Sequence, residues 1–322
     1  MFRDGSSRFS ACGAHMMTVA GYDRRAPRWA SLSASLRAIV IGLVIGLVGA
    51  NVWPFLVLGL GAPLCAPAEG VFLAVYLWWV SGGGPPIEWR QVRRAAFRRR
   101  LPSLTQWGWG LLAALAFAAT IHAALVLLFR LIPFPMAAFR EGYDLSAIPS
   151  RAGRWIAVVI AATSAGVCEE TGFRGYMQRP IEQRHGVLTA VMVSSAFFTV
   201  VHVTKAWALV GMVPIVFGAG VLLGLLAWAS DSLIFGMIGH VVMDIGLFAY
   251  WWTGIAGEFT ARPISETGAD QPFLIACLAF ATSLFMVVLA ICRLRRTRAD
   301  RRSPEAAARQ FAVHDENGSR QH

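Results

Sequence analysis

The chain reads as an all-α, polytopic membrane protein with about eight transmembrane helices, and three observations predict this. Of its 322 residues, 56% are hydrophobic, 15% are charged and 12 are tryptophan, so it is more apolar and less charged than a soluble globular domain. Apolar windows recur along the sequence at lengths near the roughly 20 residues that cross a bilayer. The net charge of +11 is concentrated in segments that flank those windows. That is the positive-inside pattern of a membrane protein, and it leaves no reason to invoke nucleic acid as a partner.

The first 35 residues are polar, rich in Ser, Arg and Gly. They lack the apolar stretch of a secretory signal and read as a disordered cytoplasmic leader. Eight windows follow: Ala38 to Leu60, Ala68 to Val80, Trp107 to Ile132, Trp155 to Cys168 with a polar continuation, Val187 to Val203, Leu209 to Trp228, Leu233 to Trp252, and Pro272 to Cys292. The second is short, and Pro63 and Pro67 allow it to be half of a hairpin with the first. Residues 36–292 therefore form the transmembrane domain, and residues 293–322, charged and Ala-rich, form a solvated cytoplasmic tail.

Arginines set the orientation. Arg24, Arg25, Arg28 and Arg37 precede the first window, Arg90, Arg93, Arg94, Arg98, Arg99 and Arg100 follow the second, and Arg293, Arg295, Arg296 and Arg298 follow the eighth. With eight spans all three groups share one side, the cytoplasm, and both termini with them, as in a multi-pass protein of the cell (inner) membrane. Arg140, Arg151 and Arg154, in the opposite loop, run against this assignment. The five cysteines, at 12, 65, 168, 277 and 292, have no paired spacing, which excludes a disulfide framework or a Cys-built structural zinc site. Cys168 reads as a small packing residue.

Ionisable residues inside such windows are costly and usually functional, and three clusters stand out. The first is V-C-E-E-T-G-F-R-G-Y-M-Q-R, residues 167–179. Glu170 and Arg174 are i and i+4, so they share a helix face and pair in the favourable order. Glu169 points about 100° away and is left to face a neighbouring helix. A carboxylate withdrawn from water holds a proton more tightly, which suits a general base. The second cluster is Phe198 and His202, again one turn apart. Glu169 and His202 are equidistant from the His185-Gly186 pair, so a turn there between antiparallel helices brings them to one height, roughly 25 Å from the turn. Gly175 and Pro180 predict a kink on the way. The third cluster is His240 and Asp244 on the seventh window. His240 stands two turns beyond Leu233, about 10 Å along its helix, at a depth that matches the other pair.

Other residues have plainer readings. His122 is an interhelical hydrogen-bond or core residue, and Arg130, near a span end, snorkels to water. Tyr250-Trp251-Trp252, Trp78-Trp79, Trp107 and Trp109 read as interface anchors. Gly218, Gly220 and Gly224 form a small-residue face for close helix packing.

The order EExxxR, then FxxxH, then HxxxD on successive membrane helices resembles the CAAX protease and bacteriocin-processing (CPBP) family of intramembrane metalloproteases, also called type II CAAX prenyl endopeptidase-like or ABI proteins. The motif-bearing part is about residues 157–248. The resemblance implies an endopeptidase acting on a peptide or membrane-protein substrate in lipid. In it Glu169 and His202 activate a water, His240 and Asp244 bind the oxyanion or a metal, and Glu170 and Arg174 fix the helix or orient substrate. The family accepts Asn or Asp at the position of Asp244. An ionised Asp cannot donate to an oxyanion, so Asp244 reads equally as the group that orients His240. Glu169, His202 and His240 also meet the ligand needs of a catalytic Zn2+ with one open position, although HExxH is absent. The residues suit a metal-bound and a metal-free Glu/His mechanism alike. Two other classes fit the composition: a proton-coupled transporter, for which no inverted repeat is visible, and a non-catalytic scaffold or immunity protein that keeps the helices without the activity.

Overall fold

The computed structural model describes residues 32–98, 101–133, 140, 144–203 and 211–318, with side chains placed except at 62, 63, 203 and 299–318. Residues 1–31 of the expected leader, Lys205 and the start of the sixth window fall outside the described residues. Ala34–His322 forms one compact unit, and among the described residues it is built of helices without strands.

In chain order these are α1 (Ala34–Ala50), α2 (Trp53–Leu60), α3 (Ala62–Val80), α4 (Arg90–Ala96), α5 (Leu104–Leu131), α6 (Arg151–Glu169), a π-helical segment (Glu170–Met177), α7 (Gln178–His185), α8 (Val187–Val203), α9 (Met212–Ser230), α10 (Ile234–Gly246), a second π-helical segment (Leu247–Trp252), α11 (Ile264–Thr267) and α12 (Gln271–Gly318). Among the described residues six helices are long and apolar enough to cross a membrane, while Leu64–Val80 and Val187–His202 are shorter apolar helices. Length and composition thus qualify six of the eight expected windows, and the protein is an integral, multi-pass, all-α membrane protein. Helix starts follow local chemistry. Ser103 and Gln106 form a reciprocal capping box at α5, and Ser150 caps α6 by accepting the Gly153 N–H.

The centre of the bundle is the helix that carries the paired glutamates. In its most apolar stretch 78% of residues are buried, against 22% for the first and last spans. Those outer helices turn Val44, Val48, Leu278 and Phe285 outward, as lipid-facing positions require. The main core lies between α5, α9, α10 and α12, around Phe117, Phe129, Leu223, Trp251 and Leu294. Helix α1 packs backbone to backbone on the first π segment: a Cβ at Gly42 would lie 2.7 Å from Gly172 O, and one at Gly49 would lie 2.7 Å from Cys168 Sγ. Cys168 is fully buried and fills that contact.

At one end of the bundle Arg98, Arg179 and Arg298 surround Asp231 and Glu182. Arg98 is 2.5 Å from Glu182 and 3.4 Å from Asp231, Arg179 is 3.0 Å from Glu182, and Arg298 is 3.3 Å from Asp231. The arginine groups after the second and eighth windows therefore meet at the same end. Arg140, which ran against the charge pattern, is offset by Glu258 at 3.1 Å.

Several single-residue expectations need correction. Trp251 and Trp252 are core residues instead of interface anchors: Trp251 is 2% exposed, stacks on Phe129 at 5.3 Å and donates Nε1–H to His122 Nδ1 at 3.1 Å. The π segment turns these two rings inward, whereas Trp78 is exposed. Trp107 packs edge-on against Phe235. Arg130 does not snorkel; it is buried and held by Asp270 Oδ1 at 2.7 Å and Thr267 Oγ1 at 2.9 Å. Between Glu170 and Met177, the stretch that contains Gly175, the helix changes register through the π segment, where Gln178 N–H reaches Phe173 O. His122, bonded to Trp251 across helices, is the interhelical residue expected.

Candidate active site

The turn that the sequence places after His185 is present. Gly186 adopts φ 84°, outside the range other residues favour, and α8 runs back antiparallel to α7 and the π segment. As a result Glu169, the last residue of α6, meets His202 near the end of α8. Glu169 Oε2 is 3.8 Å from His202 Nε2 and 4.0 Å from His240 Nε2. All six expected site residues fall into this one cluster.

Each imidazole has its Nδ1 engaged. His202 Nδ1 lies 2.7 Å from Phe198 O, one turn back; a carbonyl only accepts, so Nδ1 carries a proton and Nε2 faces Glu169, with a lone pair there whenever the ring is neutral. His240 Nδ1 lies 3.1 Å from Glu170 Oε1, and its Nε2 faces Asp244 Oδ2 at 3.6 Å as well as Glu169. A ring nitrogen bonded to a backbone carbonyl or carboxylate fixes the orientation of the other nitrogen.

Glu170 sits between two partners. Its Oε1 is 2.9 Å from Arg174 Nη1 and 3.1 Å from His240 Nδ1, and neither Glu170 nor Arg174 has exposed surface. Arg174 also donates to Gly220 O of α9 at 3.3 Å, and its guanidinium lies 4.4 Å from the centre of the Phe198 ring. That ring is in turn 4.4 Å from the His202 ring and 5.9 Å from the His240 ring. Phe198 thus spaces the two histidines and covers the cation with a π face. Buried ionic groups hold their geometry when each has such partners.

Exposure divides the cluster. Glu170, Arg174 and His240 are sealed, Glu169 and Asp244 nearly so, and His202 keeps a quarter of its side-chain surface open. Beside His202 and Asp244 lies a cavity of about 60 Å3 whose other walls are apolar, among them Ile215, Val216 and Trp252. The cluster is therefore open on the His202 side.

Glu169, His202 and His240 offer the donor types that zinc takes, and Glu169 Oε2 is buried without a hydrogen-bond partner in the structure. As placed, no three His, Cys, Asp or Glu side chains among the described residues are drawn together into a metal-holding group.

The structure adds residues that spacing did not single out. Gly236 of α10 leaves room for Glu170, since a Cβ there would lie 2.7 Å from Glu170 Oε2. Gln178 donates to Gly224 O at 2.9 Å, tying the start of α7 to α9, and Ser194 donates to Phe173 O at 3.1 Å, tying the π segment to α8. Ser164 donates to the buried Glu69 at 2.6 Å. Glu69 is the one acid in its apolar window, and that was a usable signal. No curated protein and no solved structure matches the chain. Residues 151–246, which hold every member of the cluster, match the family model described as Rce1-like, type II CAAX prenyl endopeptidase, so this segment is similar to the CAAX proteases.

Proposed function

We propose that the protein is an intramembrane endopeptidase that hydrolyses a peptide bond with water activated by Glu169 and His202. The observation that carries this reading is the approach of Glu169 Oε2 to within 3.8 Å of His202 Nε2, with His202 Nδ1 committed to Phe198 O. With the His202 ring neutral both facing atoms are acceptors, and a water between them donates one hydrogen to each. Glu169 takes a proton from that water as its oxygen attacks the carbonyl carbon, and returns it to the leaving amine nitrogen as the C–N bond breaks. His202 orients the water. His240, aimed by Glu170 and Asp244, faces the charge that develops on the carbonyl oxygen when Nε2 is protonated. The cavity beside His202 and Asp244 receives an apolar substrate side chain.

The donor set also suits a divalent ion. Glu169, His202 and His240 would hold it, and it would supply Lewis acidity toward the carbonyl. The arginine groups at one end support a cell (inner) membrane orientation with that end, and both termini, in the cytoplasm.

The test is Glu169→Gln, which keeps the shape of the side chain and removes the base. Peptide products are compared between cells expressing the wild type and the variant at equal membrane levels. The expected loss is about 10²–10⁴-fold in cleavage rate, with insertion and thermal stability maintained. Unchanged products would refute the assignment, and a scaffold role requires that result.

A further inference from the structure

A groove at the Arg-rich end plays no part in the chemistry above. It has a volume of about 660 Å3, lies between the end of α4 and the starts of α5 and α10, and is lined by Arg94, Phe97, Arg98, Leu101, Leu233 and Ile234, with Ser232.

Its two guanidiniums differ. Arg98 is buried and neutralised by Glu182 and Asp231. Arg94 is exposed and has no carboxylate partner among the described residues. The start of α10 adds positive potential, because Leu233 and Ile234 bring the N-terminal end of that helix to the groove. The remaining lining is apolar.

The chain that flanks the groove has the composition of the headgroup level of a membrane. Ile87, Trp89, Val92, Leu101 and Leu104, on α4 and in the chain just before and after it, are all exposed, and Arg90 and Arg94 lie on the same short helix. Apolar and aromatic side chains turned outward next to arginines are the pattern of an interfacial segment. A basic pocket at this depth with an apolar floor matches an anionic amphiphile.

We propose that this groove binds an anionic membrane phospholipid, with its phosphate on Arg94 and the first part of an acyl chain along Phe97, Leu101, Leu233 and Ile234. A zwitterionic lipid carries its own cation beside the phosphate and gains less from an unpaired arginine. The site bears on the catalytic cluster from two sides. The chain just before the groove packs on the first π segment, where a Cβ at Gly175 would lie 3.1 Å from Ala96 O and 3.3 Å from Leu233 Cδ1. Helix α10, which starts at the groove, carries His240 and Asp244.

Native mass spectrometry of the full-length chain, delipidated in detergent and offered equimolar phosphatidylglycerol and phosphatidylcholine with the same acyl chains, tests this without any substrate. The wild type should retain phosphatidylglycerol by about fivefold over phosphatidylcholine, which corresponds to the roughly 1 kcal/mol expected for one near-surface arginine. Arg94→Gln should abolish the preference, Arg94→Lys should restore most of it, and Arg184→Gln, an exposed arginine at the end of α7, should leave it unchanged. Millimolar inorganic phosphate should not displace the lipid. Equal retention of both lipids by the wild type, a preference that survives in Arg94→Gln, or displacement by phosphate alone would each overturn the proposal. Because the readout is lipid retention, its failure is separate from any failure of the protease reading.

Discussion

His240 stands 3.1 Å from Glu170 through Nδ1, and this contact makes Glu170 a support for the imidazole, since its oxygen is also committed to Arg174 at 2.9 Å. Removing the charge of Glu170 leaves a guanidinium buried without its partner, at a cost of about 3–5 kcal/mol. Glu170→Gln should therefore lower the melting temperature and slow cleavage together. Combining it with Arg174→Met removes both charges and should recover most of the stability, but not the activity, because the neutral amide accepts from His240 without the carboxylate charge that favours its protonated ring. Thermal melts and cleavage rates of the single and double variants check this. Recovery of full activity in the double variant would show that Glu170 acts only through Arg174.

Helical spacing made this cluster legible because a helix converts sequence separation into distance. Glu169 and His202 are equidistant from the turn at Gly186, and His240 and Asp244 are one turn apart, so three helices bring them to one level. The π segment over Glu170–Met177 was not legible: its i→i+5 register is fixed by packing against α1, α8 and α9, which local sequence does not encode. The same holds for Trp251 and Trp252. A Tyr-Trp-Trp run at a span end has the composition of an interface belt, and only the second π segment turns it onto Phe129 and His122. Arg130 was misread for a related reason, since Asp270 reaches it from a distant part of the chain.

Two glycines on neighbouring helices should respond oppositely to a methyl group. At Gly236 the new Cβ would lie 2.7 Å from Glu170 Oε2, within a sealed ionic contact, whereas at Gly218 nothing lies within 4 Å. Gly236→Ala should cost about 1–3 kcal/mol of stability and reduce cleavage by displacing the carboxylate that aims His240. Gly218→Ala should be neutral or stabilising by roughly 0.5–1 kcal/mol, the gain of replacing Gly within a helix. The small-residue face expected on this helix is thus confined to Gly220 and Gly224, whose methyls would meet Ser195 Cβ and Gln178 Oε1, each at 2.9 Å. Melting temperatures of the two variants in the same detergent decide the point; equal losses at both positions would contradict the packing described.

Outside the membrane-spanning segments, Asp270 ties the start of α12 to Arg130 of α5. The hydrogen bond from the Arg130 guanidinium holds the Asp270 carboxyl below the usual carboxylate range. A depressed carboxyl contributes stability above its unfolded pKa, roughly 3.9, and loses that contribution as the pH falls through the folded value. Asp270→Asn should therefore melt at a lower temperature than the wild type near neutral pH, because it loses the ion pair and leaves Arg130 buried without its counter-charge. The gap should close as the pH falls from the unfolded value through the depressed folded value, where the wild-type carboxyl is itself protonated. Paired melts of the two proteins across this range measure the gap directly. A constant difference at every pH would mean that Asp270 holds α12 through packing or through its bond to the Phe273 N–H, and that its charge contributes nothing.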